Sequence, residues 1–396
     1  MCSAPKSTPD ELPNPRIWPR TLLVHKAARP YGLAQHIIQR WKHGPIEEID
    51  DPQAVIDRIN AGPDPLTEGK RHLLLTRWPA RFIKPCQGIV ESATCCNYQI
   101  INIAQNCNLE CTYCILQAYL NNPLLVQYAN IEDLMQELRE LASANPDQPY
   151  RIGTGELTDS LALDPLTGVS AYLAEAFRTL KQCVIEFKTK TNHVEHLLAM
   201  DDPPPNTIVG FSMNAPEIAR REELKTATLQ ERIDAAAKLQ AKGFQLAFHF
   251  DPLIWHDGWR ENYRAVIQQI FSRIDPEKHI AWISLGAFRY PRSMKRTIRE
   301  RFPGSTIITG EFVPGFDGKM RYFLPLRVEL YRTIIGFLRE VSPNLTHYLC
   351  MESQEVWRLV YDDPPENNEA LDARLGISCG CRTNDAAHCR AAARGT

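Results

Sequence analysis

Cys107, Cys111 and Cys114 stand in a C-x3-C-x2-C spacing within Asn106 to Leu120, directly after the apolar run Gln99 to Ala104. Three thiolates this close in sequence can hold one corner of a cubane iron–sulfur cluster. Such clusters take four ligands, so one iron is left open to a group that is not protein. The competing chemistry is a structural zinc knuckle. That ordinarily pairs C-x2-C with a second pair, and here a fourth ligand is not evident.

A loop carrying such a cluster needs elements to hold it. From Gln99 onward, apolar β-prone runs lie at 99–104, 150–153, 184–188, 207–213, 244–250 and 280–286, each followed by a helix-period segment: 131–143, 169–181, 193–200, 228–242, 261–274 and 291–301. Six alternations at this spacing predict an α/β fold, parallel βα units closing into a partial (β/α)6 barrel. In such barrels the site lies at the carboxyl ends of the strands, where the cysteine loop would sit. The other strand ends carry polar groups: Gly155 and Glu156, then Asp159 and Ser160, after the second; Lys190 after the third; Ser212 and Asn214 after the fourth; His249 and Asp251 on the fifth. Polar residues ending an otherwise apolar strand are costly unless they face a site.

The cysteine spacing resembles that of the radical S-adenosylmethionine (SAM) superfamily. The resemblance narrows with CNLECTYCILQAY at 107–119, GTGELTDSLALDPLT ending at Thr167, KTKTNHVEHLL at 188–198, Phe211–Asn214, FHFDP and HDGW within 243–259, and YLCMESQEVW at 348–357. In this order they are similar to the spore photoproduct lyase family and its wider radical SAM homologues. The resemblance implies a [4Fe–4S] cluster on Cys107, Cys111 and Cys114, with SAM on the open iron. Tyr113 would lie near the adenine. Gly155 and Glu156 would meet the SAM amino group, Lys190 and Ser212 would contact SAM, and Asp159 and Ser160 would lie close by. It also implies a reducing protein such as a flavodoxin or ferredoxin. The reaction implied is DNA repair: a 5′-deoxyadenosyl radical takes hydrogen from C6 of a methylene-bridged thymine dimer, the bridge breaks by β-scission, and hydrogen returns to the thymine methyl radical.

Two positions depart from that pattern. Ile115 follows the third cysteine where the lyase has tyrosine, and Glu156 falls where the lyase has its hydrogen-donating cysteine. A carboxylate has no readily abstracted hydrogen. Either another thiol donates, with Cys350 and Cys183 as candidates, or the substrate differs; the Arg321–Phe323 and Tyr348–Trp357 stretches favour the wider branch. Cys379, Cys381 and Cys389, with His388, are candidates for a second metal or cluster, against a plain frayed tail.

Of the 396 residues, 45 are Lys or Arg and 47 Asp or Glu, so any nucleic-acid surface must be a local patch. Basic and aromatic residues mix between Arg16 and Lys84 (Trp18, Tyr31, Trp41, Trp78), and cations recur at 289–301, where 292, 295, 296 and 299 would share a helix face. Gly315–Gly318 is a candidate hairpin tip that could wedge strands apart. The expected layout is an extension over 1–95, the barrel over 96–310, and a hairpin, helix and cysteine-containing region over 311–396. With no apolar run long enough to span a membrane and no leader-like start, the expectation is a cytoplasmic protein whose twelve cysteines are ligands, catalytic thiols or small hydrophobes. The alternatives are a radical SAM enzyme acting on a nucleoside, RNA or peptide, and a non-catalytic zinc-stabilised nucleic-acid-binding protein. The oligomeric state is left open.

Overall fold

The computed structural model describes residues 18–86, 93–144, 146 and 148–376. Its main sheet has eight strands in the order His347–Leu349, Ile280–Ala287, Gln245–Leu253, Thr207–Ser212, Cys183–Thr189, Tyr150–Gly153, Gln99–Ile101 and Ile83–Pro85. All neighbours are parallel except the last pair. The six expected strands are all present, in sequence order across the sheet, and form the curled half-barrel. The central ones are buried along nearly their whole length, as strands covered on both faces must be. Helices Ile131–Ala144, Val169–Phe177, Leu229–Lys242 and Trp259–Phe271 connect them. The Leu229–Lys242 helix shows how locally this is written: Thr228 and Glu231 form a reciprocal capping box, and Gly243 closes the far end at φ 102°.

The 169–181 helix ends early, at Phe177, and three further boundaries differ from expectation for physical reasons. The 99–104 run divides, with Gln99–Ile101 joining the barrel and Ala104–Gln105 a second sheet. The 193–200 helix shrinks to Glu195–Leu198, because Thr189 and Thr191 hydroxyls satisfy backbone amides just before it. The 291–301 helix starts at Met294 after a turn closed by Met294 N–H on the Pro291 carbonyl.

The second sheet has the order Ile46–Ile49, Thr21–His25, His72–Thr76, Leu125–Tyr128, Ala104–Gln105 and is parallel but for its last pair. It draws strands from both sides of residue 95. Leu22, Val24, Leu73, Leu75 and Leu125 pack beneath helix Gly32–Arg40, with Trp18 and Trp41 buried among them. These tryptophans are core, not a base-stacking surface.

The half-barrel has an open side, and two edges meet across it. Thr94 forms an antiparallel bridge with Glu352, whose buried carboxylate accepts from Arg327 at 2.6 Å and from Tyr331 Oη at 2.8 Å. A hairpin of Phe312–Pro314 and Met320–Tyr322, with Arg289–Tyr290 alongside, rises beyond the last long strand.

Candidate active site at the mouth of the half-barrel

The cysteine loop is held from three directions. Asn106, at φ 64°, donates to the Pro123 carbonyl at 2.8 Å and caps the Cys107 amide. Glu110–Cys111 pairs with Glu223–Leu224. Between the cysteines Glu110 is buried, at home because Lys70 (3.2 Å), Arg301 (3.1 Å) and Lys225 (3.9 Å) surround its carboxylate. Lys70 Nζ also donates to the Leu109 carbonyl at 2.6 Å, and Arg301 donates to Gln117, which in turn donates to the carbonyls of Cys111 and Thr112.

All three thiols line one cavity of about 420 Å³ at the carboxyl ends of the strands. The Leu109 amide points at Cys107 Sγ, 3.4 Å away, the kind of N–H···S contact that tunes an iron–sulfur centre. Burial pushes the Cys107 thiol up to about 12 and the Cys111 thiol well above its ordinary value, so thiolates here need a cationic partner such as iron. Among the described residues no three His, Cys, Asp or Glu side chains are grouped to chelate a single ion. Cubane ligands each take a different iron, and the three thiols sharing one cavity wall are the donor set such a cluster uses.

The same cavity is lined by Tyr113, Gly155, Glu156, Asp159, Lys190, Ser212, His249 and Asp251, gathered from the ends of five parallel strands. Tyr113 Oη donates to Glu223, and its ring lies 6.2 Å from that of Phe288 and 5.9 Å from Lys190 Nζ. Asp159 ties two loops together, accepting from the amides of Leu161 (3.0 Å) and Lys190 (2.7 Å) and the Thr189 hydroxyl (2.8 Å). Asp251 takes a two-pronged ion pair from Arg289 at 3.0 and 3.2 Å. His249 Nε2 lies 2.7 Å from Glu186 Oε1. Burial alone would raise the Glu186 carboxyl, but His249, Lys188 and Arg151 hold it well below the usual carboxylate range, while burial lowers His249.

Four expected residues lie outside the lining. Ser160 accepts from the Lys188 amide (2.9 Å) and the Thr154 hydroxyl (2.8 Å), pinning the second strand's loop to the third. Asn214 is fully engaged behind the wall by Glu223, the Pro252 carbonyl, the Ala215 amide and Tyr263 Oη. Cys350 sits behind Arg289, 3.9 Å from Nη2, and its thiol is pushed up to about 12 by burial. Cys183 is wholly buried at the amino end of its strand, away from the cavity. Cys379, Cys381, His388 and Cys389 lie outside the described residues.

Sequence reasoning missed Cys86, Phe288, Arg289, Lys319 and Met351 in the lining. Arg289 and Met351 follow the carboxyl ends of the sixth and seventh strands, a signal that was present for the sixth. Lys319 enters from the hairpin and Cys86 from the edge strand, positions no local pattern marks.

A family model described as spore photoproduct lyase matches residues 88–311. The chain belongs to the spore photoproduct lyase family. It is 28% identical over 207 residues to the spore photoproduct lyase of Bacillus subtilis (strain 168), covering 51% of this chain and 60% of that protein. To the Clostridium acetobutylicum (strain ATCC 824) enzyme of the same name it is 23% identical over 293 residues, 73% of this chain and 84% of the relative. The first match thus spans under two thirds of the Bacillus relative. Among solved structures, spore photoproduct lyase complexed with dinucleoside spore photoproduct superposes with a TM-score of 0.73 at 20% identity, over 84% of this chain and 99% of the other. A double mutant of the lyase with bound AdoMet and dinucleoside spore photoproduct gives 0.72 at 21% identity, over 84% and 98%. At these identities the superpositions establish a shared family fold.

Proposed function

We propose that this chain is a radical SAM lyase that repairs a bridged pyrimidine lesion in DNA. The observation that carries the reading is the convergence of Cys107, Cys111 and Cys114 with Glu156, Lys190 and Ser212 on one cavity. A [4Fe–4S] cluster on the three thiolates, with SAM at its open iron, would supply a 5′-deoxyadenosyl radical. The protein's own part is to bind and orient. Glu156 offers a carboxylate for an ammonium and Lys190 a cation for a carboxylate, a charge pattern complementary to an amino acid moiety. Tyr113 and Phe288, meeting edge to face, give an apolar corner for a base at the cavity wall.

The family members are named for spore photoproduct, and a DNA lesion would have to be turned out of the duplex to reach this cavity. Arg292, Lys295, Arg296 and Arg299 are exposed on and just before helix Met294–Arg301, suited to a phosphate backbone. The hairpin tip carries exposed Val313 and Phe316, candidates for an apolar wedge. A reducing protein of the flavodoxin or ferredoxin class would deliver the electron, and a cytoplasmic setting agrees with no helix among the described residues being long and apolar enough to cross a membrane.

Glu156 in the cavity wall favours one alternative: the same radical chemistry on another substrate, such as a nucleoside, RNA or a peptide. One experiment separates the two. The chain is reconstituted anaerobically with iron and sulfide, then incubated with SAM, reductant and dinucleoside spore photoproduct deuterated at C6. Deuterium in 5′-deoxyadenosine supports lesion repair. Deoxyadenosine without label turns the search to other substrates, and a colourless protein binding zinc without cleaving SAM removes the enzyme reading altogether.

A further inference from the structure

We infer that Cys86 supplies the hydrogen atom that quenches the substrate radical, an inference that rests on the lesion-lyase reading above. Breaking a carbon bridge by β-scission leaves a carbon-centred radical, and among side chains a thiol has the S–H bond best suited to quench it. Glu156 has none to give. Among the described residues the cysteines lining the cavity are Cys86, Cys107, Cys111 and Cys114. Three of these are committed to iron, which leaves Cys86.

The other two candidates are poorly placed. Cys183 starts its strand at the amino end, away from the loops that form the mouth. Cys350 does not line the cavity; its sulfur meets the Arg289 guanidinium, which Asp251 holds with two hydrogen bonds. Cys86, by contrast, is fixed at the cavity's edge. It extends the Ile83–Pro85 strand, and its amide donates to the Tyr98 carbonyl at 2.8 Å.

A second observation concerns supply. Cys86 directly follows the edge strand Ile83–Pro85, and the Thr94–Glu352 bridge joins the chain soon after that strand to the opposite edge of the half-barrel. A hydrogen bond with Cys96 and burial raise the Cys95 thiol, with Cys350 and Cys86 near enough to add to the effect. Cys86, Cys95 and Cys96, close together in sequence, and Cys350, from far along the chain, therefore share one seam. In the proposed step the S–H bond of Cys86 breaks homolytically, a C–H bond forms at the substrate methylene, and the unpaired electron is left on sulfur. The thiyl radical regains one hydrogen atom from a low-molecular-weight thiol in solution, either directly or through a neighbouring seam thiol, and two of the small-molecule thiyl radicals so formed combine into a disulfide. One hydrogen atom moves at each transfer and no charge is created.

The test uses the full reconstituted chain with dinucleoside spore photoproduct in D2O containing dithiothreitol. Thiol hydrogens exchange with solvent, so the repaired thymine methyl should gain one deuterium. For Cys86→Ala the ratio of methyl deuterium to 5′-deoxyadenosine should fall at least tenfold, while Cys183→Ala leaves it unchanged. Independently of turnover, iodoacetamide labelling of the apo chain, read by mass spectrometry, should modify Cys86 and be slowed several-fold by the dinucleoside. An unchanged ratio in Cys86→Ala, loss of deuterium in Cys350→Ala alone, or labelling indifferent to the dinucleoside overturns the inference. If the unsubstituted chain passes no substrate label to deoxyadenosine, the lyase reading fails first and takes this inference with it.

Discussion

Glu110 shows what one buried charge does for the site. It lies between two cluster cysteines and carries three cations, from residues 70, 225 and 301, on its carboxylate. Removing one partner of a buried ionic group leaves the others uncompensated, typically at about 3–5 kcal/mol. Glu110→Gln should therefore lower the urea midpoint substantially and reduce the iron bound per chain after reconstitution, measured by colorimetric iron assay. Cys111→Ala should abolish the brown colour with a much smaller change in urea midpoint. The residues legible from sequence alone are those whose partners are near in sequence: Cys107, Cys111 and Cys114 announce themselves by spacing, and His249 and Asp251 by polarity at the end of an apolar strand. Glu110 was silent, because Lys70 and Arg301 come from opposite sides of the chain.

At the scale of elements, helix Met294–Arg301 faces two ways. Arg301 turns inward to Glu110 and Gln117, whereas Arg292, Lys295 and Arg299 are exposed. Replacing Arg292, Lys295 and Arg299 together by Gln should weaken duplex DNA binding about equally across sequences. If all three touch phosphate, the slope of log K against log salt should become shallower by roughly 2–3, measured by fluorescence anisotropy over a salt series. An unchanged slope would move the DNA surface elsewhere. The long strands at 207–212, 245–253 and 280–287 were legible because strands buried on both faces are apolar almost throughout. His347–Leu349 was not, since three residues carry no period. Nor was the second sheet, whose five-residue runs at 21–25 and 72–76 gain meaning only once Leu125–Tyr128 pairs beside them.

The molecule as a whole depends on closing its open side. Burial, with Arg339 and Arg374 nearby, lowers His347 to about 4. The folded state thus favours the neutral imidazole, so this contribution is present above the unfolded value near 6.5 and is lost as pH falls from there towards 4. It is worth about 2–3 kcal/mol over that window. His347→Gln, which can still meet Tyr361 Oη, should show a smaller drop in urea stability between pH 7.5 and 4.5 than the unsubstituted chain. Equal drops would place the acid sensitivity elsewhere.

The Thr94–Glu352 bridge has a temporal consequence. On a ribosome the cysteine loop emerges well over two hundred residues ahead of Glu352, which at roughly 5–20 residues per second leaves an interval of tens of seconds or less. During it the nascent barrel is a trough, its flank still unshut while the chain that will close it has yet to leave the tunnel.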